Sequence, residues 1–217
     1  MYTIKKGERG LFLARFFLLF SVFLLAALLI YVSAALLDAK SVSEGVVRLH
    51  ILADSDDEAE QALKLRVRDA ILDTFSEELS ALSDVDEAKT YLNGHLSEIE
   101  SVAANAVREN GSSHNVTVDF CREYYPTRAY DGFDLPAGEY TSLRILIGSG
   151  EGENWFCMVY PPLCTASSES DEALLAAGFS ESQVRLLTEN EEGYTLRFKV
   201  VEAVSEFWRR VKGSKAR

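Results

Sequence analysis

The sequence predicts an α+β protein: a membrane-inserting helix at the N-terminus, then two amphipathic helices packed on a mostly antiparallel sheet. Three observations predict it. A charge-free apolar run spans Phe16 to Leu37, apolar residues recur at helical spacing between Ala59 and Val107, and from Asn115 the pattern changes to strict alternation.

The apolar run holds twenty-two residues, which as a helix reach about 33 Å, the thickness of a bilayer's hydrocarbon core. Lys5, Lys6, Arg9 and Arg15 precede it against a single Glu8, and the chain beyond it is acidic. That bias keeps the N-terminus in the cytoplasm and sends the rest across the cytoplasmic membrane. Val32-Ser33-Ala34 and Ser33-Ala34-Ala35 offer the small residues of a signal-peptidase site, yet the run exceeds an ordinary signal core. The sequence therefore leaves a cleaved signal and an uncleaved anchor both open. Three segments follow: residues 1–37 for insertion, 38–168 as the exported domain and 169–217 as a C-terminal extension with a strand hairpin and an amphipathic helix.

Beyond Leu37 the chain keeps 18 of its 22 basic residues and 33 of its 34 acidic ones, a net charge of −15. Such a domain repels nucleic acid, and it repels anionic headgroups away from the anchor. With four prolines and no low-complexity tract it is expected to fold around one core.

Val46 to Ala53 reads as a strand, with Val47, Leu49 and Ile51 on one side and Arg48, His50 and Leu52 on the other. Ser55-Asp56-Asp57-Glu58 has the form of a capping box opening a first helix, whose apolar face is Ala59, Leu63, Val67, Ala70, Ile71 and Leu79. A second helix is expected from Asp84 or Val85 through Ala88, Leu92, Ile99, Ala103 and Val107, ending at Asn110-Gly111. Strands follow at Val116 to Cys121, Tyr140 to Ile147 and Trp155 to Tyr160, the last two joined by the glycine-rich turn Gly148 to Gly152. After a polar linker, Glu172 to Ala177 reads as a short helix, Val184 to Leu187 and Tyr194 to Val200 as strands turned at Gly193, and Val201 to Val211 as a helix.

Catalytic patterns are missing. His50, His95 and His114 form no His-Glu-x-x-His pair, the glycine-rich turn lacks the Lys-Ser/Thr of a phosphate loop, and there is no Gly-x-Ser-x-Gly elbow. No metal and no cofactor is expected. Cys157 and Cys164 flank a proline-bearing six-residue spacer in an oxidising compartment, so a disulfide between them is expected, and Cys121 is left over. The aromatics and prolines from Tyr124 to Leu163 serve either as core of a twisted sheet or as an exposed recognition face.

Arg48-Leu49-His50-Ile51-Leu52-Ala53-Asp54-Ser55-Asp56 and Gln61 to Asp69 resemble the opening of the stage II sporulation protein R family. Tyr125-Pro126-Thr127-Arg128-Ala129-Tyr130, Leu135 to Tyr140, Leu143-Arg144, Ile147 to Cys157 and Pro161-Pro162-Leu163-Cys164 resemble the rest of its signature, in order. Asp54 departs from an asparagine more common in the family, and Phe156 from a second tryptophan. The resemblance implies a protein made in the forespore and exported into the space between two membranes, either released there or held by its N-terminal helix. There it triggers a membrane-embedded aspartic protease on the mother-cell side, which then removes the pro-sequence of the mother-cell sigma factor. It implies a signal, not an enzyme, with Arg48, His50, Asp54, Tyr125, Pro126, Arg128, Tyr130, Arg144, Asn154 and Trp155 as interaction or structural residues. The alternative is a small secreted hydrolase or envelope-binding module centred on His50, Asp54 and Cys157.

Overall fold

A computed structural model describes residues 6–130, 133–161, 171–176, 178–188, 199, 201–207 and 210–211. Helix α1 (Lys6–Glu44) runs unbroken through the predicted membrane segment and past it. It is long and apolar enough to cross a membrane, and its apolar side chains from Leu11 to Ile30 are exposed. Its last turns are different. Ala35 and Ala39 are buried with Val201 of the C-terminal extension, Val42 is buried with Val46 and Tyr140, and Gln183 Nε2 donates to Ser41 Oγ at 3.0 Å.

The domain comprises β1 (Val47–Leu52), α2 (Glu58–Ser80), α3 (Val85–Gly94), α4 (Leu96–Glu109), β2 (Val116–Tyr125), β3 (Arg128–Tyr130), β4 (Phe133–Leu135), β5 (Gly138–Ile147), β6 (Asn154–Tyr160), α5 (Asp171–Ala176) and α6 (Glu181–Thr188). The main sheet has the order β2-β5-β1-β6. β2 with β5 and β1 with β6 are antiparallel, while the central pair β1 and β5 is parallel. The parallel pairing is possible because three helices separate β1 from the later strands, long enough for a crossover.

Alternation gives the sheet two unlike faces. Leu49, Ile51, Leu143, Ile145, Val118 and Cys157 project to one side and form a core with Leu63, Val67, Ile71, Ile99, Ala103 and Val107 of α2 and α4. This is the helix-on-sheet packing expected from the sequence.

Several expected details differ. The second helix is two, α3 and α4, divided at His95, which caps one and opens the other. Gly94 lowers the helical preference there, and the His95 ring folds back on Tyr91, its Nδ1 donating to the Tyr91 carbonyl at 2.7 Å. The start and end match expectation. Asp84 Oδ1 accepts from the amides of Asp86 and Glu87, and at the far end Ser112 N donates to Val107 O and Gly111 N to Arg108 O across Gly111 at φ 80°, a Schellman motif. The expected capping box at α2 is not made: the N-cap is Asp57, which makes no side-chain cap, and Ser55 Oγ instead donates to the Asp57 carboxylate at 2.9 Å. Val184 to Leu187, read as a strand, lies in α6, where Val184 and Leu187 are buried on one helical face. Tyr194 to Val200 lies almost wholly outside the described residues, and 201–207 is helical as expected.

Candidate functional site

The other face of the sheet is polar and aromatic. Asp119, Cys121, Glu123 and Tyr125 of β2 share it with Tyr140, Ser142 and Arg144 of β5, Arg48 and His50 of β1, and Asn154 and Phe156 of β6, as the strand registers require. A short hairpin, β3 with β4, and helices α5 and α6 cover part of it through Phe133, Leu135, Leu174, Phe179, Val184 and Leu187. That hairpin was not expected from the sequence; its strands are three residues each, too short to display a period.

At the centre lies Arg48, fully buried and without a carboxylate partner among the described residues. Its guanidinium stacks over Tyr125 at 3.9 Å and is ringed by Tyr140 at 5.1 Å and Phe156 at 5.6 Å. Nη2 donates to Tyr130 Oη at 2.5 Å, while Nε and Nη1 have no hydrogen-bond partner among the described residues. A buried charge is costly, and here the negative faces of the rings supply the compensation that an acid would otherwise give. The rings are fixed in turn. Tyr140 Oη donates to Pro136 O at 2.6 Å, and Tyr125 Oη donates to Glu123 at 2.8 Å while lying 2.7 Å from Ser142 Oγ. Burial pushes both phenols well above their ordinary range, so they remain neutral donors.

Beside this box a polar row crosses the sheet. His50 Nδ1 donates to Glu123 Oε2 at 3.0 Å, and its Nε2 lies 2.8 Å from Asn154 Oδ1. Arg144 Nη1 donates to Glu123 Oε1 at 3.3 Å and its Nη2 to Asp119 at 2.9 Å. Burial pushes the Glu123 carboxyl up, but the His50 and Tyr125 hydrogen bonds and the His50 and Arg144 charges together hold it below its ordinary value.

A third cluster joins the strand ends. Asp54 Oδ1 accepts from Ser149 N at 2.6 Å, Asp56 Oδ1 from Glu153 N at 2.7 Å, and Gly152 N donates to Ala53 O at 2.9 Å. The Ser149 amide is the main cause of a lowered Asp54 pKa. Buried Lys64 ties this loop to α2, its Nζ donating to Glu153 O at 2.8 Å and to Gln61. The glycines are required by this close approach: a Cβ on Gly152 would sit 2.3 Å from Ser55 O.

The structure thus brings Arg48, His50, Tyr125, Tyr130, Arg144 and Asn154 together, with Arg128 over Phe156 at 5.1 Å. It separates the others. Trp155 points to the helical face, where Arg68 lies 5.0 Å over its ring, and Asp54 is engaged in the loop. Cys157 lies in the apolar core across the sheet from His50, so a site of His50, Asp54 and Cys157 does not assemble. Of the two readings left open for the aromatics, Tyr125 takes the core one, being only 3% exposed, whereas Pro126 and Arg128 are at the surface. The expected disulfide falls partly outside the described residues, since Cys164 lies there; Cys157 is disulfide-bonded, whereas Cys121 is free, with burial the first cause of a raised thiol pKa. Glu123 and Ser142 were missed, although each sits at an alternate position of a strand otherwise facing this side.

The family described as stage II sporulation protein R matches residues 43–170, a span that holds the whole main sheet and all three clusters. The stage II sporulation protein R of Bacillus subtilis (strain 168) is 30% identical over 186 residues, covering 77% of this chain and 83% of that protein. No solved structure matches the chain.

Proposed function

The chain belongs to the stage II sporulation protein R family, and from that membership we propose that its exported domain is a protein ligand for a membrane-embedded aspartic protease of the mother cell. As a family member it is an exported forespore signal, not an enzyme, and it leads to activation of a mother-cell membrane protease. The finer reading is that binding switches on the aspartic protease, which then removes the pro-sequence of the mother-cell sigma factor.

The observation that carries the reading is the extent of the family match, which takes in the whole main sheet, the β3-β4 hairpin and helices α2 to α4. The arrangement of the polar face supports it. A buried cation enclosed by four aromatic rings, and a histidine held between a carboxylate and an amide, fix the shape of a surface. We assign the contact to the rim of that face, where exposed Pro126, Arg128 and Asn154 and half-buried Arg144 stand around it. Arginine at such a rim suits a partner segment bearing carboxylates. The test is whether cleavage of the pro-sigma factor, in cells that co-produce the protease, depends on the domain and on Arg128.

A further inference from the structure

In the form of the protein that keeps α1 as its anchor, a cluster of basic side chains stands just past the end of the apolar run. The apolar run ends at exposed Leu37, and Lys40 follows three residues on, about 4.5 Å along the helix. That rise places Lys40 in the headgroup layer, which is about 5 to 7 Å deep on each side of the hydrocarbon core. Leu37 and Lys40 line one open cleft of about 650 Å³ together with Lys89 of α3 and Arg122 of β2. Three cations therefore converge beside the bilayer in a domain whose net charge is −15.

Their present engagements are weak. Lys40 pairs with Glu44 at 3.5 Å with both side chains more than half exposed, and Lys89 with Asp86 at 3.2 Å on an acid that is 87% exposed. Such surface pairs contribute little. Arg122 makes one long hydrogen bond, from Nη2 to Glu139 O at 3.4 Å, and also lines the adjoining cleft between α1 and the start of β5. Lys89 Nζ further donates to the Glu44 carbonyl at 3.2 Å, which holds α3 against the end of α1. The cleft thus keeps its position relative to the membrane helix.

We propose that this cleft binds the phosphate of an anionic phospholipid from the leaflet α1 has just crossed. Lys40, Lys89 and Arg122 contact the headgroup, and Leu37 stays with the acyl chains. Glu44 and Asp86 line the same cleft, each beside a lysine, so three cations against two carboxylates leave a surplus of one positive charge, which suits a headgroup of net negative charge over a zwitterionic one of none. The consequence is orientation: a bound lipid together with the buried turns of α1 holds the domain at one tilt on the membrane.

The test uses the full chain in non-ionic detergent, titrated with phosphatidylglycerol and separately with phosphatidylcholine, with bound lipid read by native mass spectrometry. One phosphatidylglycerol is expected to bind saturably. Its affinity is expected to fall about fivefold for each cation removed, hence about a hundredfold in a chain carrying Lys40→Gln, Lys89→Gln and Arg122→Gln. A second variant, Lys40→Arg, Lys89→Arg and Arg122→Lys, keeps the charge and is expected to retain most of the binding if folding is intact. Unchanged affinity in the glutamine variant, or equal binding of phosphatidylcholine, overturns the proposal. Displacement of the lipid by an equal concentration of glycerol 3-phosphate also overturns it, since the site would then belong to a soluble phosphate.

Discussion

The guanidinium of Arg48 lies 3.9 Å from the centre of the Tyr125 ring, and both residues are buried. The pair is thus core, not contact surface. Tyr125→Ala removes a buried ring together with the charge's closest support, and is expected to destabilise the domain by about 3 to 5 kcal/mol. Tyr125→Phe keeps the ring and loses the hydroxyl bridging Glu123 and Ser142, for about 1 to 2 kcal/mol. Denaturant unfolding of the two variants checks the order; equal, small losses would show that the ring carries no such burden.

Glu123 gives the fold an acid-sensitive point. Its folded pKa is held below the ordinary 4.5, so its ionised form contributes stability that is fully present above that value. The contribution is lost as the pH falls through the lowered folded value. Glu123→Gln is expected to cost about 1 to 3 kcal/mol near neutral pH, because His50, Tyr125 and Arg144 lose a charged acceptor. The deficit relative to wild type should shrink as both are acidified below about pH 4, a trend that unfolding midpoints over a pH series will show or refute.

Gly152→Ala places a methyl group 2.3 Å from the Ser55 carbonyl oxygen, a backbone atom that cannot rotate aside. A loss of about 1 to 3 kcal/mol is expected, with the loops 53–57 and 148–153 opening first. Faster hydrogen exchange at the amides of Ser149, Gly152 and Glu153 would report that opening; unchanged exchange would mean the two loops are not held together by this approach.

The sequence displayed what has a period. Val47, Leu49 and Ile51 against Arg48 and His50 announced a two-faced strand, and Asn110-Gly111 announced the end of α4, because alternation and left-handed caps are local signals. What depended on distant pairing was hidden. Nothing local tells that β1 lies parallel to β5, that Tyr125 closes over Arg48, or that Glu123 meets His50 across 73 positions. The reading of Val184 to Leu187 as a strand failed for the opposite reason: four apolar and polar residues fit either period, and burial against the β3-β4 hairpin decided for a helix.

Arg128 offers the separation that Tyr125 cannot. It is exposed and its one ring contact, over Phe156, is at the surface of the aromatic box. Arg128→Ala is expected to leave the unfolding free energy within about 0.5 kcal/mol of wild type. If the residue is an interface anchor, signalling should fall by the equivalent of about 2 kcal/mol or more in binding. Wild-type signalling by the folded variant would remove this rim from the contact.

The most direct test of the central claim is cleavage of the pro-sigma factor in cells that co-produce the membrane protease with the exported domain, with the Arg128→Ala domain, or with none. Cleavage is expected with the wild-type domain, strongly reduced cleavage with the variant at equal domain levels, and none without the domain. Cleavage that proceeds equally with no domain present would contradict it.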